Sequence, residues 1–176
     1  MRYWFDTEFH EDGHEIDLIS LGMVAEDGRE LYVEVAGFDY SKVNEWVQAN
    51  VLPHLWSRQP EKREGNLWIR DGGRGGLLSR QHIAREIQTF CDPETYGKPE
   101  VWAYYADYDW VALCQLFGRM IDLPKGWPMY CRDIKQWADM LGNPKLPEQG
   151  KDEHHALADA RWNREAWEFL RDHQPS

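Results

Sequence analysis

At 176 residues with 42% hydrophobic content, the chain is long enough for one domain with a substantial core and too short for two ordinary ones. A formal charge of -11 argues against a protein that coats nucleic acid through a broad basic surface, because nonspecific affinity comes mainly from neutralising phosphates with Lys and Arg. No run of about 20 apolar residues offers a membrane span, the start has no leader pattern, and Cys91, Cys114 and Cys131 form neither a paired framework nor a metal-type spacing, which favours a reducing, cytoplasmic setting.

The chain opens on a short apolar strand, Arg2 to Phe5, with Asp6-Thr7-Glu8 at its end. Strands over Glu15 to Ala25 and Glu30 to Val35 follow, joined by the turn pairs Asp12-Gly13 and Asp27-Gly28, which makes an antiparallel meander. Ser41 is a good N-cap for a helix reaching about Asn50, and Ser79 or Arg80 starts another that ends at Phe90. Between them, residues 57–79 read as a flexible loop. Its run Asp71-Gly72-Gly73-Arg74-Gly75-Gly76 lacks the Lys-Ser/Thr ending of a phosphate-binding loop and reads as a loop tip. Arg63, Arg70, Arg74 and Arg80 make this the most basic part of an acidic chain, a candidate contact for an RNA backbone or a partner subunit.

A fourth strand, Glu100 to Tyr105, leads to a helix beginning near Asp109. A short strand near Met129 precedes a helix capped by Asp133, and the last helix runs from His155 to about Arg171. Strands first, then alternating strand and helix, predict an α/β fold: one mixed sheet, antiparallel and then parallel, with helices on both faces. Most of the ten tryptophans are expected in the core or at an interface.

Three segments carry the chemistry. Asp6 and Glu8 are two apart, so on a strand they share a face. Asp109 follows the fourth strand; Asp107 competes with it, but the apolar helix Trp110-Val111-Ala112-Leu113 begins directly after Asp109. His154 and Asp159 are five apart at the start of the last helix and can look toward the same strand ends. Four carboxylates and a histidine are the set needed for two divalent metals and a general base. A histidine titrates near neutrality and can take a proton from attacking water, so activity is expected to rise with pH around the ordinary histidine value of about 6.5. The set points to phosphodiester hydrolysis. By contrast, His10-Glu11-Asp12-Gly13-His14 fits a zinc-protease pattern in letters only, since that pattern needs a helix and Asp12-Gly13 is a hairpin turn.

Three motifs in this order and spacing resemble the DEDDh branch of the DnaQ-like 3'-5' exonucleases: Asp6 and Glu8 match the first, Asp109 the second, His154 with Asp159 the third. Within that superfamily the chain is similar to the mycobacterial polyadenylate-specific 3'-exoribonuclease branch, through Asp6-Thr7-Glu8-Phe9, Glu11-Asp12-Gly13-His14, the run Leu21 to Glu30, and Val111 to Leu116. The resemblance spans nearly the whole chain and implies a ribonuclease H-like fold, a homodimer, and release of nucleoside 5'-monophosphates from the 3' end of single-stranded RNA. It also implies two Mg2+ or Mn2+ ions held by Asp6, Glu8, Asp109 and Asp159, His154 as base, and Thr7 and Phe9 against the terminal nucleotide. Many relatives have Asn or His-Asn before the second-motif aspartate, whereas this chain has Tyr105-Ala106-Asp107-Tyr108-Asp109. Of the adjacent histidines, His154 has the family's spacing to Asp159, and replacing His155 is expected to matter much less. The alternatives are a 3'-5' DNA exonuclease of proofreading type and a nucleic-acid-binding scaffold without turnover.

Overall fold

The computed structural model describes residues 1–59, 67–70, 73–151 and 153–173. Among the described residues seven strands form one mixed sheet: β1 (Arg2–Glu11), β2 (Ile16–Ala25), β3 (Glu30–Val35), β4 (Leu67–Arg70), β5 (Gly73–Leu78), β6 (Glu100–Ala103) and β7 (Arg132–Asp133), in the order β4-β5-β3-β2-β1-β6-β7. The expected meander β1-β2-β3 is its antiparallel centre, and the pairs β3-β5, β1-β6 and β6-β7 are parallel. The helices are α1 (Glu45–Asn50), α2 (Arg80–Phe90), α3 (Pro93–Tyr96), α4 (Asp107–Gln115), α5 (Ile134–Met140) and α6 (Ala156–Asp172).

Alternation along the central strands sorts the side chains into two layers. Tyr3, Phe5, Leu21, Met23, Leu31 and Val33 face one way and are covered by Val47 of α1, Ile83, Ile87 and Phe90 of α2, and Leu113 of α4. On the opposite face Trp4 packs with Ile134 and Ala138 of α5 and with Ala166, Trp167 and Leu170 of α6. Val24 and Tyr32 lie under Ala156, Leu157 and Ala160 at the start of α6. Helices on both faces of a mixed sheet give the expected ribonuclease H-like architecture. Trp4 and Trp167 meet edge to face at 5.3 Å within that second layer, so these tryptophans are core residues.

Several boundaries differ from expectation. β1 does not end at Phe5: pairing with β2 continues through Asp6, Thr7 and Glu8 to Glu11, because the backbone ladder does not require apolar side chains. Asp6 and Glu8 therefore sit within a strand, not beyond its end. α1 starts at Glu45 under the Asn44 cap, whose Oδ1 accepts the Val47 N–H at 2.9 Å. Ser41 instead donates its N–H and hydroxyl to Asp39, a local turn that competes with helix capping. β6 stops at Ala103, shortly before Tyr105 takes a left-handed backbone (φ 54°).

Within the stretch 57–79 expected as a loop, β4 and β5 pair with each other and β5 with β3, so that expectation is corrected at 67–70 and 73–78. Gly75 must be glycine because a Cβ there would stand 1.6 Å from the Tyr32 carbonyl oxygen. Residues 60–66, 71 and 72, part of the predicted loop tip, and Arg63 lie outside the described residues, as do the side chains of Arg70 and Arg74. Arg80 is engaged with Asp17 and the Leu18 carbonyl. The His10-to-His14 segment is the expected hairpin turn, where Asp12 Oδ1 accepts the N–H groups of His14 (2.9 Å) and Glu15 (2.8 Å) and Gly13 takes φ 85°.

Candidate active site

Strand alternation places Asp6 and Glu8 on the α6 side of the sheet, and the first turn of α6 brings Asp159 over them. One carboxylate oxygen from each of Asp6, Glu8 and Asp159 lies within 4.8 Å of the others. Close packing at this point depends on Gly22, the β2 partner of Asp6, because a Cβ there would stand 2.3 Å from backbone atoms of Ala156 and Leu157. Further along α6, the buried Asn163 amide donates to the Phe5 carbonyl at 2.9 Å, tying the helix to β1 one residue before Asp6.

Asp109 reaches the site from the other layer. It lies in the first turn of α4 and its Oδ1 accepts both the Thr7 N–H (2.9 Å) and the Thr7 hydroxyl (2.5 Å). Thr7 faces away from Asp6 and Glu8, so it anchors this carboxyl while its neighbours form the three-acid cluster. Asp109 is buried and Asp107 exposed. Thr7 is placed by resemblance against the terminal nucleotide; its N–H is engaged with Asp109.

His154 stands just outside α6 in a left-handed backbone conformation, φ 68°. Its N–H donates to Asp159 Oδ2 at 2.9 Å, and its ring lies edge-on to Trp46 at 4.9 Å. His155, set aside on spacing, is the buried N-cap of α6: its Nδ1 accepts the Ala158 N–H at 3.4 Å, and its ring stacks on Tyr32 at 4.4 Å. Phe9, half-buried, lies 6.0 Å from the exposed ring of Tyr108. A cleft of about 250 Å³ opens beside Asp159, lined also by Gln149, Gly150, Glu153 and Trp162.

The model of the 3'-5' exoribonuclease Rv2179c-like domain matches residues 1–171. The chain belongs to the Rv2179c-like exoribonuclease family. It is 42% identical over 161 residues to two Mycobacterium tuberculosis proteins, 3'-5' exoribonuclease Rv2179c of strain H37Rv and 3'-5' exoribonuclease MT2234.1 of strain CDC 1551, covering 92% of this chain and 88% of each relative. As an Rv2179c-like exoribonuclease it is a phosphodiester hydrolase. No helix among the described residues is long and apolar enough to cross a membrane.

The electrostatics of this cluster favour a cation. Burial pushes the Asp6 and Glu8 carboxyls well above the usual range, and neighbouring carboxylates push them further, Asp109 foremost on Asp6 and Asp159 foremost on Glu8. Burial raises Asp159 to about 7 against the opposing hydrogen bond from His154, and raises Asp109 to about 6 against the two bonds from Thr7. An all-oxygen donor set of crowded carboxylates fits hard divalent ions such as Mg2+ and Mn2+.

The same shifts set a pH dependence. Unfolded carboxyls titrate near about 4, while the folded values for Asp109 and Asp159 are about 6 and about 7. Between these limits the folded state holds more protons, so stability must fall as pH rises. Thermal melts in chelator are therefore expected to show Tm decreasing from pH 5 to pH 8, with Mg2+ or Mn2+ reversing the loss at pH 8. A chelated protein equally stable at both pH values would contradict this account of the cluster.

Gly22, Asn163 and the Gln149 amide, which donates to Asp159 Oδ1 at 3.2 Å, were missed as site-building residues. Gly22 carried a signal, since a glycine inside an apolar strand marks a bulge or a close backbone approach. Asn163 carried none, because its partner Phe5 is 158 residues away, and Gln149 carried none because it reaches Asp159 from an irregular segment with no periodicity to read.

Proposed function

We propose that this chain removes nucleotides from the 3' end of single-stranded RNA with two Mg2+ or Mn2+ ions at Asp6, Glu8, Asp109 and Asp159. The observation that carries the reading is the convergence of Asp6, Glu8 and Asp159 within 4.8 Å, with His154 hydrogen-bonded to Asp159 through its backbone. Bound there, two divalent ions neutralise charge on the phosphoryl oxygens and assist both the attacking water and the leaving oxygen. His154 takes the proton from the water as its oxygen bonds to phosphorus. The bond from phosphorus to the 3' oxygen of the preceding nucleotide breaks, releasing a nucleoside 5'-monophosphate, and the departing oxygen takes a proton from solvent water to leave a new 3' hydroxyl on the shortened RNA. Asp109, fixed by Thr7, keeps its carboxyl oriented beside the cluster. Phe9 offers an aromatic surface to the terminal base, and Thr7 lies between the two strand-borne ligands.

The test is incubation with 5'-labelled single-stranded RNA or matching DNA, with Mg2+, Mn2+ or chelator, beside the His154→Ala variant. The expected result is a metal-dependent ladder shortening from the 3' end of RNA. His154→Ala should lower kcat by about 10²–10⁴-fold, the range for a general base. DNA cut equally well would make this a general exonuclease, and intact RNA binding without a ladder would favour the scaffold. The resemblance extends the proposal to adenosine tracts and to a homodimer, and the unpaired cysteines extend it to a reducing, cytoplasmic setting; oligo(A) against oligo(U) and sedimentation test the first two.

A further inference from the structure

Two rows of paired residues cross the central strands on the α6 side: Asp6–Gly22–Tyr32 and Glu8–Ser20–Glu34. Each strand-borne acid is therefore matched, two strands away, by a polar side chain of β3 that the reaction does not use. Glu34 is wholly inaccessible, yet a carboxyl in such a place is costly unless its oxygens are engaged. They are: Oε1 accepts the Tyr32 hydroxyl at 2.8 Å, and both oxygens accept the Ser57 N–H at 3.3 Å. Ser57 belongs to the 3-10 turn Trp56–Arg58, so Glu34 also fixes Trp56, whose ring lies 4.6 Å from that of Tyr32.

Both rings contact His155. Tyr32 stacks on it with an interplanar angle of 23°, and Trp56 lies 5.3 Å away. His155 caps α6, its carbonyl accepts the Asp159 N–H at 3.0 Å, and the next residue toward the N-terminus is His154. An imidazole clamped on its face can turn neither the cap nor the left-handed bend at His154. Satisfied buried polar groups of this kind fix orientation, where an apolar contact would permit sliding.

We propose that Glu34, Tyr32 and His155 form a positioning chain that sets the His154 turn and the Asp159 carboxyl. It rests on the reading of those two residues as site residues. The chain touches neither RNA nor scissile phosphate, so its disruption should lower kcat and leave KM nearly alone.

The experiment compares Tyr32→Phe, Glu34→Leu and Glu34→Gln for steady-state cleavage of a single-stranded oligoribonucleotide, for Mn2+ binding by calorimetry without RNA, and for thermal melting. Tyr32→Phe keeps the stacked ring and loses the bond to Glu34; Glu34→Gln keeps an oxygen acceptor. Expected are a loss in kcat of roughly tenfold for Tyr32→Phe and Glu34→Leu, the lower end for partners of metal ligands, KM within about twofold, and similarly weakened Mn2+ binding. Glu34→Gln should rescue most of both. Variants folded at the assay temperature with wild-type kcat and Mn2+ affinity would overturn the proposal, as would a glutamine variant as damaged as the leucine one. If Glu34→Leu does not fold, Tyr32→Phe decides. Should the wild type cut no RNA, the exonuclease reading fails separately, and Mn2+ affinity alone decides the positioning role.

Discussion

Asp6→Asn and Asp159→Asn are each expected to cut turnover by roughly a hundredfold or more at saturating Mg2+, while raising the Tm of the metal-free protein. The two signs come from one cause. These carboxyls lie with Glu8 within 4.8 Å and are pushed upward by burial, with mutual repulsion adding to it on Asp6 and Glu8. Without a cation, an amide in place of the carboxyl removes the cost of burying a charge, which is the larger cause, and the repulsion with it. With a cation, the same change removes a charged ligand, and even partners outside the ligand shell cost about 10–100-fold when lost. Kinetics with Mg2+ and melts with chelator read the two effects on the same preparations. More than a tenth of wild-type activity in either variant would remove these residues from the ligand set, and a lower chelated Tm would show that burial and repulsion of the charged carboxyls do not destabilise the empty cluster.

The second large effect is expected at Gly22→Ala, a change of one methyl group. Its Cβ would stand 2.3 Å from the Ala156 carbonyl carbon and oxygen and the Leu157 nitrogen, all backbone atoms that cannot rotate aside. The start of α6 must lift off β2. Overpacking of this kind costs about 3 kcal/mol at its upper end, which for a chain of this size lowers Tm by roughly 6–12 °C. The lift also moves Asp159 away from Asp6 and Glu8, and a displacement of about 1 Å can cost on the order of a hundredfold in rate. Melting and kcat measured below the transition test both parts. Gly150→Ala, where an added Cβ meets open space, is the control and should melt like the wild type. A Gly22→Ala protein with wild-type Tm and kcat would mean that α6 does not rest on β2 at this point.

The positions of the acids were legible because strand and motif spacing are local. Asp6 and Glu8 two apart on a strand must share a face, and that face is the one α6 covers. The caps at Ser79 and Asp133 and the turns at Asp12-Gly13 and Asp27-Gly28 were legible for the same reason, since each is decided within a few residues. The length of β1 was not, because its polar half is held by the ladder to β2. Nor were β4 and β5, since the pairing of β5 with β3 demands a glycine at Gly75 that reads locally as a turn signal.

By itself, then, the sequence determined which residues can share a face, the central meander and the candidate acids Asp6, Glu8, Asp109 and Asp159. Tertiary structure decided how these groups are held: Thr7 against Asp109 across 102 residues, Asn163 against Phe5 across 158, and Gly22 beneath the α6 cap. It also decided that His155 is clamped against Tyr32 while His154 bends out beside Asp159. The division is physical. Periodicity and capping are set by neighbours along the chain, whereas burial, close approach and the repulsion that raises these carboxyls exist only once distant segments have packed together.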